Sequence, residues 1–213
     1  MKHRFAIAAL AAFAALSFAP GAARAEDEEA DKLAARGKAL RYDAQSSEAS
    51  ASKIGWGGAA ILVNAPIGQV RQVVTDYRHY EKFIKPFDSS KLISKKDGVS
   101  EVYFQVPVMH GAAKIWAVVK IGAPEKDGDG EKIVARYVKG NVDDFVAVWR
   151  LRPTEDGRTV LKLELLVDPK LPLPNSMVTG ELKYAADKAV TAVRDRVEKK
   201  PSADKKPPNV AKR

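Results

Sequence analysis

Between residues 91 and 167 apolar positions recur with a period of two, and across residues 175–200 they recur at the three- and four-residue steps of a helix. In the first stretch Val102, Phe104, Val106 and Val108 alternate with Glu101, Tyr103, Gln105 and Pro107. Ile115, Ala117, Val119 and Ile121 then alternate with Lys114, Trp116, Val118 and Lys120. Ile133, Ala135 and Tyr137 continue the pattern. Phe145, Ala147, Trp149 and Leu151 alternate with Val146, Val148, Arg150 and Arg152, and Leu161, Leu163, Leu165 and Val167 with Val160, Lys162, Glu164 and Leu166. Lys126-Asp-Gly-Asp-Gly130 is the strongest hairpin signal, and Gly140-Asn141 and Glu155-Asp-Gly157 mark further turns. Strands joined this closely make an antiparallel meander with one buried and one wetter face.

The helical stretch carries Val178, Leu182, Ala185, Ala186, Ala189, Val190, Val193 and Val197 on one side, with Asn175 as the expected N-cap. Its role is to cover the apolar face of the meander. Gly180, early in this helix, costs about 1 kcal/mol relative to alanine. It is read first as a point of close contact with the sheet, and otherwise as a hinge at a cavity mouth.

Upstream, residues 38–42 form a first strand and residues 45–52 a Ser/Ala-rich connection. Trp56–Val63 is a strand whose Gly57, Gly58, Ala59 and Ala60 let a helix or another backbone approach closely. Asn64-Ala-Pro66 stops it, and Pro66 suits the first turn of a helix carrying Ile67, Val70, Val73, Val74 and Tyr77. A short helical piece over 79–84 ends before Pro86.

One parity places Phe104, Val119, Phe145, Trp149 and Leu163 together on the inner face, unless a β-bulge inverts part of it. The candidate cavity residues are Phe104, Tyr137, Phe145, Trp149, Leu163, Met177 and Tyr184, and the alternative is a solid core filled by the same side chains. Met177 and Tyr184 lie off the helix stripe, so they rim a mouth or stand half-exposed. Trp116 shares its face with Lys114 and Lys120 and belongs outside. Asp76, Tyr77 and Tyr80 are read as structural, the tyrosines packing on the sheet edge with wet hydroxyls.

The first 25 residues change what the rest can be. A basic start, Met1-Lys2-His3-Arg4, precedes a fifteen-residue stretch that is apolar but for Ser17, a Pro20-Gly21 break and Ala23-Arg24-Ala25. That is the pattern of a cleaved export signal, and the apolar run is short of the roughly 20 residues a spanning helix needs. The expected divisions are a signal over 1–25, an acidic, poorly ordered segment over 26–36 with a helical turn at its end, a domain over 37–198, and a disordered Lys/Pro-rich tail over 199–213. There is no cysteine, hence neither disulfide nor lipidated Cys, and a soluble periplasmic location fits best, with secretion as the alternative. The net charge of +9 resides mostly at the two ends, leaving about +2 over 26–197, so nucleic acid is not an expected partner. The tail's scattered cations allow at most a weak contact with an anionic membrane surface.

Chemistry has little to stand on. His79 and His110 are not in metal-ligand spacing, and no nucleophile elbow, phosphate loop or dinucleotide fingerprint occurs. No catalytic residue, metal or cofactor is assigned. His110, in Met109-His-Gly111, is read as an exposed turn histidine, or otherwise as a titrating group at a pocket mouth. Arg136, Arg150 and Arg152 are expected to pair with Glu164 across the outer face.

The stretch Ile61-Leu-Val-Asn-Ala-Pro-Ile-Gly-Gln-Val70, followed by Val74-Thr-Asp-Tyr-Arg-His-Tyr-Glu-Lys-Phe83, resembles the entry of the START-like (Bet v 1-like, polyketide cyclase/dehydrase and coenzyme Q-binding-like) superfamily. Leu171-Pro-Leu-Pro before the last helix is similar as well. The resemblance implies an α+β helix-grip fold: a curved antiparallel sheet wrapped around a long C-terminal helix, with two short helices after an early strand. It also implies an apolar cavity between sheet and helix that binds or carries a hydrophobic small molecule or lipid. A cyclase- or hydrolase-type enzyme using the same cavity, or a filled-core interaction module of the cell envelope, are the alternatives.

Overall fold

A computed structural model describes residues 20–199 except 86, 109, 110 and 112. Most of the expected signal, the expected tail and His110 lie outside the described residues.

The described chain runs α1 (Pro20–Arg36), β1 (Leu40–Ala44), β2 (Trp56–Val63), α2 (Ile67–Val74), a 3-10 turn (Tyr77–His79) and α3 (Tyr80–Phe83). It continues through β3 (Ser89–Lys96), β4 (Val99–Val108), β5 (Ala113–Ile121), β6 (Glu125–Asp127), β7 (Gly130–Gly140), β8 (Val142–Pro153) and β9 (Thr159–Pro169) to α4 (Asn175–Glu198). The strands form one antiparallel sheet in the order β1-β2-β9-β8-β7-β5-β4-β3, with β6 hairpinned onto β7. Pairing of β2 with β9 brings the first third of the chain beside the last strand, Ala59 opposite Leu163 and Ile61 opposite Leu161. This is the helix-grip arrangement, with α4 on the concave face.

The alternation holds where it matters. Phe104, Val119, Trp149 and Leu163 are buried in one cluster with Val178-side residues of α4 such as Ala186, Ala189 and Val193, and Phe145 packs against it half-buried. Among the described residues three register shifts occur, in β3–β4, β5–β7 and β8–β9, and none reverses this parity.

α4 does not lie along the middle of the sheet. It packs on β1, β2 and β9 and touches α2 and α3. Gly57 makes this approach possible: a Cβ there would lie 2.5 Å from the Lys183 amide nitrogen and 2.7 Å from Leu182 Cβ. On the other side of β2, Gly58 takes the ring of Tyr42. Salt bridges tie the helix to the edge strand, Arg41 to Asp187 at 2.6 Å and Lys183 to Asp43 at 2.9 Å.

Two details of α4 differ from the sequence reading. The cap is Pro174, whose extended backbone presents its carbonyl to the amides of Met177 and Val178, so Asn175 is already the first helical residue and makes no side-chain cap. Gly180 meets nothing: a Cβ there would enter open space, so it is no contact point with the sheet. Gly180→Ala is therefore expected to stabilise the protein by about 1 kcal/mol. That is about 2–4 °C in Tm for a domain of this size, read by thermal melting.

The convex face is covered, which the pattern alone did not foretell. The acidic segment is helical rather than poorly ordered, because Ala30 and Leu33, one turn apart, bury against Ala60, Leu62 and Val160. Glu29 beside them reaches Lys162 at 2.6 Å and Arg152 at 3.4 Å. Residues 45–55 form a strap across β7, β8 and β9. Glu48 binds Lys132 (3.0 Å) and Arg136, Ser50 donates to Asp144, and Ser52 donates to Asp168 at 2.7 Å. The same serines accept backbone amides within the strap, Ser50 from Ser52 and Ser52 from Ile54, which sets its turns. The hydrogen bond from Lys132 holds the Glu48 carboxyl below its ordinary range. Of the expected cross-strand pairs with Glu164, only Arg150 is placed beside it, at 3.5 Å, while Arg136 turns to Glu48 and Arg152 to Glu29. Trp116 is on this outer face, stacked with Tyr103 at 6.0 Å.

Candidate functional site

Because α4 sits over one end of the sheet, it leaves much of the concave face of β4, β5, β7 and β8 uncovered, with α2 packed on part of β8. The result is a cavity of about 990 Å³ between that floor and the exposed flank of α4. The volume lies at the top of the roughly 300–1,000 Å³ range usual for small-molecule sites. Ala117, Ala135 and Ala147 floor it, and their small side chains are what keeps it hollow. On the helix side Val178, Leu182, Ala185 and Ala189 face it, a run of about 16 Å at 1.5 Å per residue.

The two ends differ. At the end near the last turns of α4 stand the buried rings of Tyr77, Tyr80, Phe104 and Trp149. Tyr80 stacks on Phe104 at 5.7 Å and meets Tyr77 and Phe87 edge-on at 5.8 and 5.7 Å. These rings are held by the turn between α2 and β3: the Tyr80 hydroxyl donates to the Val74 carbonyl, and Ser90 donates to the Tyr77 carbonyl. At the other end Met177 is 55% exposed and Tyr184 42%, with Glu181 and Gly111 also exposed, and together these residues form the rim of an opening. Arg41 and Lys188 flank the Tyr184 ring, each 5.1 Å from its centre.

Of the seven residues singled out from the sequence, six lie on this wall: Phe104, Phe145, Trp149, Leu163, Met177 and Tyr184. Tyr137 does not. It pairs with Val119 beside the β5–β7 bulge and its hydroxyl donates at 3.2 Å to the carbonyl of Gly140, so its ring is tied back to its own strand. Sequence reasoning missed Tyr77 and Tyr80 as cavity walls. They were expected at the sheet edge with wet hydroxyls, but both residues are buried and the Tyr80 hydroxyl is taken up by Val74, because the β3–β4 hairpin folds over them. The available signal was Asp76-Tyr-Arg-His-Tyr80, two aromatics three apart on a helical turn that must face the sheet. Asp76 itself is structural, pairing with His79 at 2.6 Å and Arg196 at 3.2 Å.

The wall is nearly free of charge. Glu181, exposed at the rim, is the single ionisable carboxylate among the described lining residues, and no Lys, Arg or His joins it. Burial pushes the Tyr77 phenol up to about 12 and drives that of Tyr80 well above its ordinary value, so both remain protonated at neutral pH. Among the described residues no group of three His, Asp or Glu side chains is placed to hold a metal ion.

Comparison with known proteins places this geometry. The sequence model of a family described as "Polyketide cyclase / dehydrase and lipid transport" matches residues 63–194. No curated protein sequence matches the chain significantly. Among solved structures, a STAR-related lipid transfer protein from Xanthomonas axonopodis is similar with a TM-score of 0.62 at 15% identity, covering 75% of this chain and 93% of its own. Human StAR-related lipid transfer protein 5 gives 0.60 at 12% identity over 83% and 97%. The Zhui aromatase/cyclase from Streptomyces sp. R1128 gives 0.53 at 17% over 67% and 93%. At such identities the likeness is one of fold.

Proposed function

This chain belongs to the polyketide cyclase / dehydrase and lipid transport family, and from that premise we propose that it binds or carries a hydrophobic small molecule or lipid in the cavity beside α4. The observation that carries the reading is the 990 Å³ of space walled by alanines, aliphatic side chains and buried rings. A solid core would have filled it, since protein interiors pack to crystal density. Burying apolar ligand surface there contributes about 25 cal/mol per Å², enough for useful affinity without any catalytic group. The enzyme reading requires an acid or base facing the substrate, and besides its phenols the described wall offers only Glu181 at its rim.

Export completes the proposal: cleavage after Ala25 releases the protein to the periplasm. Cutting there leaves Glu26, Asp27, Glu28 and Glu29 in the first turn of the remaining α1, where acids favour a helix through its dipole. The basic tail adds at most a weak contact with an anionic membrane.

Native mass spectrometry and solvent extraction of the purified protein test the binding reading, alongside titration with the neutral fluorophore 1-aminoanthracene. A co-purifying apolar molecule, or saturable uptake of the probe, is expected. A protein that repeatedly comes without ligand and takes up no probe overturns the reading.

A further inference from the structure

The polar groups at the inner end of the cavity are not equivalent. Tyr80 is already satisfied: its hydroxyl donates to the Val74 carbonyl. Tyr77 is different. Its backbone carbonyl is pinned by Ser90 and its ring is wedged edge-on against Tyr80, so the side chain is fixed in place. The residue is 8% exposed and lines the cavity, yet its hydroxyl makes no hydrogen bond among the described residues. That oxygen is not among the fully buried unpaired atoms, so the hydroxyl is free to exchange water for a ligand acceptor.

Charge narrows the ligand further. No described cation lines the cavity, so an anionic head placed at the inner end would be desolvated without a partner. Glu181 sits at the opposite, exposed end and offers an inner cationic head nothing either. The aromatic side chains of Phe104, Trp149 and Tyr80 line the cavity with Tyr77 and suit a planar, conjugated group.

Resting on the binding function proposed above, we propose that the cavity takes a neutral, apolar molecule with a hydrogen-bond acceptor at one end, such as a conjugated carbonyl. The acceptor is held by the Tyr77 hydroxyl, with the apolar body along α4 toward Met177. Tyr77 is thereby the residue that orients the ligand, acceptor end first.

The test compares fluorenone with fluorene, which differ by a carbonyl, as competitors of 1-aminoanthracene on the purified protein and on Tyr77→Phe. A net hydrogen bond of about 0.5–1.5 kcal/mol corresponds to about a threefold to tenfold effect. Tyr77→Phe is expected to lower the preference for fluorenone over fluorene by that factor while leaving fluorene affinity and Tm in place. Tyr184→Phe, the same change at the rim, is expected to leave the preference untouched. A fluorenone-to-fluorene ratio that is identical in the parent protein and Tyr77→Phe overturns the assignment of Tyr77 but not the cavity's binding role. An equal loss in Tyr184→Phe overturns the orientation. No uptake of 1-aminoanthracene by the parent protein overturns the binding function itself, and this proposal with it.

Discussion

Replacing Ala135 and Ala147 together by phenylalanine is expected to lower affinity for 1-aminoanthracene at least tenfold while Tm stays level or rises. The two alanines lie directly opposite each other on β7 and β8, both buried and both on the cavity floor. Two rings there have nowhere to go but into the cavity. If they remove about 60 Å² of ligand burial, the loss at about 25 cal/mol per Å² is about 1.5 kcal/mol, roughly a factor of ten. Stability moves the other way, since filling empty space restores missing contacts and a cross-strand aromatic pair adds about 0.2–1 kcal/mol. Fluorescence titration and a melting curve on the same sample check both parts. Undiminished probe affinity in a folded double variant means that the probe binds elsewhere.

Gly57→Ala is expected to cause a large loss of stability. The added Cβ meets the backbone of α4 at Lys183 N, 2.5 Å away, and Leu182 C, 2.8 Å away. Backbone in the middle of a helix cannot step aside as a side-chain tip can, so the whole helix must lift from β2. Overpacking costs about 1–3 kcal/mol, and a clash with backbone belongs at the upper end. A fall of about 3 kcal/mol lowers Tm by about 6–12 °C. The contrast with Gly180→Ala is instructive: the same substitution, near the same helix, is expected to change sign. A Tm for Gly57→Ala within a degree or two of the parent would mean that α4 is not seated as described.

The order of strands and helices was legible because its signals are local. Period-two alternation, the Asp-Gly turns and the helical stripe of 175–200 each follow from a few neighbouring residues. The small residues of β2 also declared themselves, Gly57 admitting α4 as expected, while Gly58 admits the ring of Tyr42. What escaped depends on contacts between distant segments. Nothing near Glu48, Ser50 and Ser52 says that they span three strands whose residues lie 84–116 positions away. Gly180 is read, like Gly57, as a point of close contact, and only the placement of α4 shows that it faces open space. Tyr137 kept the expected parity but lost the cavity to a local hydrogen bond with Gly140. Conversely, Tyr77 and Tyr80 were read as edge residues because the hairpin that covers them is formed by later sequence.

The off-centre seat of α4 has a consequence for how such a protein can change. The side chains that dock the helix, around Gly57, Leu161 and Val190, are largely a different set from those that floor the cavity, such as Ala117, Ala135 and Ala147. Retailoring the cavity for a ligand of another shape therefore draws on positions whose substitution leaves the grip of the helix intact. Recognition and folding draw on largely separate parts of one sheet, β9 serving both, so selection can revise much of the first while holding the second constant.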